Sequence, residues 1–357
     1  MQALNHQVSE MLGARRAELA ARMVTREFAR HPELEQRYGK AGREKCLQDS
    51  GYHLAYLAQA IAADEMVLFG NYIGWAKVML AKRGVPEKDL EGLLETMRES
   101  LLAELPPELS GLACAYLDYA LAELPRLPGD VPTFIPLGAP LEALATQYLE
   151  ALLAGQRDLA NRLILEAAGP GKSVRGLYLH VFQRTQYEIG RLWQVNRISV
   201  AQEHYCTAAT QLIMSQLYPY VFGAEKTRGT LVATCVAGDL HEMGARMISD
   251  FFEMDGWNTH YLGANMPQVS VVQTLVEQQA DLLAISATIT YHVAAVEALI
   301  AAVRREPKCA HVKILAGGYP FKIARDLWQK IGADGFAADA ETAVTLGNEL
   351  TGFPRAA

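Results

Sequence analysis

A histidine with a carboxylate two residues before it and a glycine three residues after it lies in Gly238-Asp239-Leu240-His241-Glu242-Met243-Gly244. The apolar run Thr230–Val236 precedes it and a helical pattern follows, so the imidazole is expected on a strand-to-helix loop. A histidine held this way can bind a metal through one ring nitrogen while the other hydrogen-bonds Asp239, which fixes the tautomer and tunes donor strength. The competing reading is a loop histidine satisfied by its neighbouring carboxylate. Two further strand ends carry small residues, Ser286-Ala287-Thr288 and Gly317-Gly318. Hydroxyl donors at one place and absent side chains at another are what a buried, elongated polar ligand requires. A third group is Trp193, followed after nine residues by Glu203-His204. Asn196 and Arg197 interrupt the helical pattern after Trp193, and Ser199-Val200-Ala201-Gln202 reads as a capping box that starts the next helix. Glu203 and His204 then fall in its first turns, where a carboxylate is favoured by the helix dipole.

Asp239-x-His241-x-x-Gly244 resembles the signature of cobalamin (B12)-binding domains, and the resemblance extends over residues 141–350. It implies that His241 replaces the vitamin's own dimethylbenzimidazole as the lower cobalt ligand, with Asp239 behind it. It also implies that Ser286, Thr288, Gly317 and Gly318 line a channel for the detached nucleotide tail, and that Met243 and Gly244 lie near the corrin edge. An upstream helical bundle would cap the upper face. The spacing of Trp193 and Glu203-His204 resembles the cap of CarH-type B12 photoreceptors, where it surrounds a 5′-deoxyadenosyl group; an indole face suits adenine and a carboxylate suits ribose hydroxyls. That resemblance implies adenosylcobalamin, photolysis of the Co–C bond, and a homo-oligomer whose state depends on light, acting on an unknown effector without turnover. Gln194 stands where those receptors carry a histidine, which leaves His204, His180 or water as the upper ligand after photolysis. Corrinoid methyl-transfer proteins share the architecture. Their usual Asp-x-His-Asp-Ile-Gly-Lys-Asn is here Asp239-Leu240-His241-Glu242-Met243-Gly244-Ala245-Arg246, with the Ile, Lys and Asn all replaced. A methyl carrier is therefore the alternative reading, beside a non-photochemical cobalamin or tetrapyrrole sensor.

The elements expected to position these residues form a multidomain chain. Residues 1–123 read as an all-α domain, globin-like or a bundle. Residues 124–140 form a linker whose five prolines cannot continue a helix. Residues 141–225 read as a four-helix bundle cap, broken at Gly169-Pro170-Gly171. Residues 226–357 alternate apolar strands with amphipathic helices, the pattern of a Rossmann-like, doubly wound parallel sheet. Ligands of such sheets sit beyond the carboxyl ends of the strands, where the residues singled out above cluster.

The N-terminal domain contains no basic recognition helix. The layout of a helical domain, linker, cap and B12 sheet resembles the photocobilins, which implies biliverdin held close to the cobalamin. His53, Tyr56, Tyr72, Trp75 and Lys77 are candidates for an apolar slot with polar groups for pyrrole nitrogens and propionates, by residue type alone. The competing reading makes them helix core. A haem on His53 is a weaker variant.

The bulk properties narrow the field. A net charge of −7 provides no basic field for nucleic acid. No apolar run approaches a membrane span and no signal-peptide core begins the chain. Five scattered cysteines without metal spacing fit a reduced, cytoplasmic setting.

Overall fold

The computed structural model describes residues 2–169 and 173–353; Pro170 and Gly171, expected to break a helix, lie outside them. The chain is multidomain, a helical N-terminal region followed by further helices and a five-stranded parallel α/β layer. It divides into two compact units.

The first unit comprises Met1–Gly129 with two later segments, Ala287–Ala298 and Tyr319–Ile331. Its helices are α1 (Gln2–Ala14), α2 (Arg16–Arg30), α3 (Glu33–Ala62), α4 (Met66–Ala81), α5 (Glu87–Glu104) and α6 (Pro107–Glu123). Leu54, Leu57 and Ile61 of α3, and Leu94 and Met97 of α5, are fully buried, as their helical spacing requires. A 3₁₀ turn, Thr290–His292, belongs to this unit, with Tyr291 edge-on to Tyr56 at 5.4 Å. Lys330 donates to the Asp64 carbonyl at 3.0 Å and pairs with Glu65 at 2.7 Å.

The second unit comprises Asp130–Ser286, Leu299–Gly318 and Gly332–Ala357. Helices α7 (Glu142–Leu153), α8 (Arg157–Ala167), α9 (Val174–Leu177) with α10 (Gln183–Gln194), α11 (Val200–Gln216) and α12 (Tyr218–Val221) come first. A π-helical turn, Tyr178–Phe182, joins α9 to α10 into one rod. The strands are β1 (Thr230–Val236), β2 (Asn258–Met266), β3 (Leu282–Ser286), β4 (Lys313–Gly317) and β5 (Gly335–Phe336). Between and after them in the chain run α13 (Met243–Met254), α14 (Gln268–Glu277), α15 (Val293–Arg305), α16 (Tyr319–Ile323), α17 (Leu327–Lys330) and α18 (Ala340–Thr351), of which α16, α17 and the start of α15 belong to the first unit. The strand order is β2-β1-β3-β4-β5 with every pair parallel, so the winding reverses between β1 and β3. β1, β3 and β4 are buried almost throughout, which is why they read as continuous apolar runs. Tyr148, Phe182 and Ile213 of the upstream helices share one core with Leu231, Phe251 and Trp257 of the α/β layer.

Candidate corrinoid site

β1 ends at Val236, and Gly238 then takes φ +86, a left-handed conformation that glycine adopts without a Cβ penalty. This turn drops Asp239 into the interior, fully buried, while His241 stays with its side chain 55% exposed. Asp239 Oδ1 accepts two hydrogen bonds, from His241 Nδ1 at 2.8 Å and from the His241 backbone N–H at 3.0 Å. The imidazole is thereby held as the Nδ1–H tautomer, and Nε2 becomes the nitrogen with a lone pair to give. The Cys235 thiol donates to the His241 carbonyl at 3.6 Å.

The edge strand β2 supports the same loop, and the sequence patterns above did not reveal it. Its pairing with β1 slips after Ala233, where Gly263 and Asn265 both take positive φ. Asn265 Oδ1 accepts from the Gly238 N–H at 2.7 Å, and the Asn265 N–H donates to the Asp239 carbonyl at 3.0 Å. An asparagine two residues after a glycine at a strand end was the available signal.

Ser286 closes β3, in register with Cys235 of β1 and Gly317 of β4, so three strand ends lie side by side at the winding reversal. Thr288 follows two residues later, partly buried. Gly318 has φ +108, while a Cβ on Gly317 would meet nothing closer than 3.8 Å. A Cβ on Gly244 would meet nothing within 4 Å. Packing within the protein therefore does not require glycine at 244 or 317; a ligand passing against the backbone would. Together with the outward Nε2, this fits a corrinoid with its nucleotide tail in the sheet. Met243 opens α13, partly buried against the shared core.

The upstream helices place the remaining candidates. α10 ends at Gln194, Asn196 takes φ +59, and Ser199 caps α11 in a capping box with Gln202. Trp193 is partly buried at the end of α10. Glu203 accepts from Thr207 Oγ1 at 3.2 Å and lies 3.3 Å from His204 Nε2, whose side chain is 76% exposed. Gln194 is buried, and His180 lies in the π-turn.

In the first unit, His53 is buried and its Nδ1 is 2.8 Å from Tyr72 Oη, while Nε2 has no hydrogen-bond partner. Burial lowers the imidazole pKa to about 4, so the ring is neutral. Tyr56 stacks on Tyr72 at 3.6 Å, with Trp75 6.2 Å beyond. Lys77 is engaged differently from its expected place at a propionate. Its ammonium donates to the Leu124 and Leu127 carbonyls, both at 2.8 Å, and pairs with Glu87 at 3.0 Å. Three partners use its three donors.

Comparison with known proteins follows this geometry. A family model of the B12 binding domain matches residues 229–346, and a second B12 binding domain model matches residues 144–218. Dimethylamine corrinoid protein 3 of Methanosarcina mazei is 31% identical over 128 residues, covering 36% of this chain and 75% of the relative. The chain belongs to the B12-binding corrinoid proteins. Dimethylamine corrinoid protein 3 of Methanosarcina acetivorans is 33% identical over 129 residues, 36% of this chain; the chain spans only 59% of that relative's length. The dimethylamine corrinoid protein of Methanosarcina barkeri is 26% identical over 215 residues, covering 58% of this chain and 98% of the relative. Residues 2–124 match the phycobilisome protein family.

These corrinoid relatives overturn the expected light sensor. The spacing of Trp193, Glu203 and His204 suggests an adenosyl pocket; Glu203 lies 3.2 Å from Thr207 Oγ1 and 3.3 Å from Nε2 of the exposed His204. The replacement of Ile, Lys and Asn does not exclude a carrier: Arg246, in the Asn position, joins α13 to α11, donating to Ser215 Oγ at 2.8 Å. Among the described residues no helix is long and apolar enough to cross a membrane.

Proposed function

We propose that this chain is a corrinoid carrier that accepts and hands on a methyl group between partner methyltransferases and performs no turnover alone. The observation that carries the reading is the buried Asp239 holding His241 with Nε2 outward, in a chain whose relatives are named dimethylamine corrinoid proteins. When bound, the corrinoid supplies a cobalt that can take up and release a methyl group. The residues of the chain do the rest. His241 would hold the cobalt, and Asp239 would keep the imidazole oriented and electron-rich. Ser286, Thr288, Gly317 and Gly318 receive the nucleotide tail. Helices α7 to α11 form a four-helix cap, with Trp193 at its end shielding the upper face from water. The substrate class suggested by the relatives is a methylated amine.

The test is reconstitution with cobalamin, reduction, and incubation with dimethylamine and a dimethylamine-specific methyltransferase. Methyl transfer to the protein-bound corrinoid is expected; a chain that retains cobalamin yet never acquires a methyl group from any methylamine partner would sink the carrier reading. Parallel titrations with methylcobalamin and adenosylcobalamin decide which upper ligand the cap accommodates.

A second reading concerns the first unit. The phycobilisome family match and the orphaned, buried His53 Nε2 support a tetrapyrrole there, biliverdin being the candidate, with His53, Tyr56, Tyr72 and Trp75 around it. Lys77 is not included, because its donors are used. A titration with biliverdin should give a red absorption band that His53→Leu removes; no band at saturating bilin refutes it.

A further inference from the structure

Helix α13 begins immediately after His241 and carries three polar residues one turn apart on one face, Glu242, Arg246 and Asp250, the first as its N-cap. All three bond to the upstream helices. Glu242 Oε1 accepts from Gln211 Nε2 of α11 at 2.7 Å. Arg246 donates to the Gln211 carbonyl at 3.1 Å, to Ser215 Oγ at 2.8 Å and to Tyr218 Oη at 3.3 Å. Asp250 Oδ2 accepts from Tyr178 Oη at 2.8 Å. The other oxygen of Glu242 is also held: Tyr261 Oη of β2 donates to Oε2 at 2.9 Å and lies 3.3 Å from the Glu242 carbonyl. One carboxylate thus bridges the cap helix, the edge strand and the peptide that presents His241.

We propose that Glu242 is a positioning residue that ties coordination by His241 to the seat of the cap through Gln211 and Tyr261. Apolar contacts tolerate sliding, whereas hydrogen bonds of this geometry fix both distance and direction. Glu242 is one peptide from the imidazole, so a shift of α11 that draws on Gln211 moves the His241 backbone. Asp239 would then no longer hold Nε2 in its outward position, and the two sides of a bound corrinoid would be mechanically linked by this route. The inference rests on His241 being the lower ligand, and the experiment separates the two claims.

The full chain is labelled with ¹⁵N-histidine, reconstituted with cobalamin and reduced to Co(II). The nitrogen superhyperfine splitting in electron paramagnetic resonance then distinguishes a protein imidazole from the cofactor's own base. Gln211→Met and Tyr261→Phe keep side-chain volume and remove the donors to Glu242. Each is expected to shift the histidine-on to histidine-off ratio by about tenfold, the size seen for lost outer-shell partners. A merely structural role would lower cobalamin retention or melting temperature without changing that ratio. Unchanged ratios in variants that melt like the parent overturn this inference and leave the site intact. A parent with cobalamin bound and no ¹⁵N-histidine splitting overturns the site and the inference together. Should one variant fail to fold, the other decides the question.

Discussion

At the scale of single residues, the site depends on what is missing as much as on what is present. Gly317 is the clearest case, since a Cβ there would sit in ordinary van der Waals contact. Gly317→Ala should therefore leave stability within about 0.5 kcal/mol of the parent, as substitutions without a structural penalty do. It should nonetheless weaken cobalamin binding, measured by titration of the apoprotein. Equal losses in melting and binding would show that the glycine serves the fold. His241→Ala should keep the fold, because the side chain is half exposed, and abolish the histidine-on spectrum of bound cobalamin. His241, Asp239 and the two glycines were legible in the sequence because their chemistry is local and their spacing short. Asn265, Tyr261 and Gln211 were not. Their bonds to the same loop cross from other elements, and one depends on a bulge with positive φ that no hydropathy pattern encodes.

At the scale of elements, the π-turn and the buried pair beside it are the least expected features. Tyr178-Leu179-His180-Val181-Phe182 carries no residue pattern that foretells a widened turn, since its apolar spacing suits an ordinary helix equally well. The turn brings Tyr178 to Asp250, whose carboxyl burial pushes up to about 6; Tyr178 and Arg246 oppose that shift and Glu253 adds to it. An unfolded aspartate titrates near 3.9, so between about pH 4 and 6 the unfolded chain releases this proton first. Over that window the native state binds more protons, and rising pH lowers stability by up to about 1.4 kcal/mol per unit through this group. Asp250→Asn should remove that component. Denaturant titrations at pH 4.5 and 6.5 should show the variant gaining on the parent as pH rises; a constant difference would mean the carboxyl ionises normally. Strands β1, β3 and β4, in contrast, were readable from their apolar runs, whereas the half-buried edge strand β2 runs on to Met266 without one. Parallel strands buried on both faces are continuous apolar runs, and the linker prolines exclude helix.

At the scale of the whole molecule, the order of helical and α/β regions was legible from period and composition, whereas the membership of the first unit was not. Nothing in residues 287–298 or 319–331 marks them as companions of the N-terminal helices. Their association is a matter of tertiary packing through Tyr291 and Lys330. The light-sensing expectation failed for a related reason: a short spacing such as Trp193 to Glu203 fixes which residues are near one another, not the group they serve. Lys77 illustrates the same point, because an ammonium expected at a ligand fastens the chain at Leu124 and Leu127. Lys77→Met should free that segment and raise its cleavage rate in limited proteolysis about tenfold, corresponding to about 1.4 kcal/mol of local opening. An unchanged cleavage pattern would show that the prolines alone protect it.

The composition of the first unit also bears on how the chain is made. Its six helices emerge early from the ribosome, but the turns carrying Tyr291 and Lys330 arrive only after most of the α/β layer has been synthesised. The stretch from Tyr56 to Glu65 therefore lacks these partners until Lys330 has been made, and a nascent chain stalled before that point should be more sensitive to protease there than the full chain.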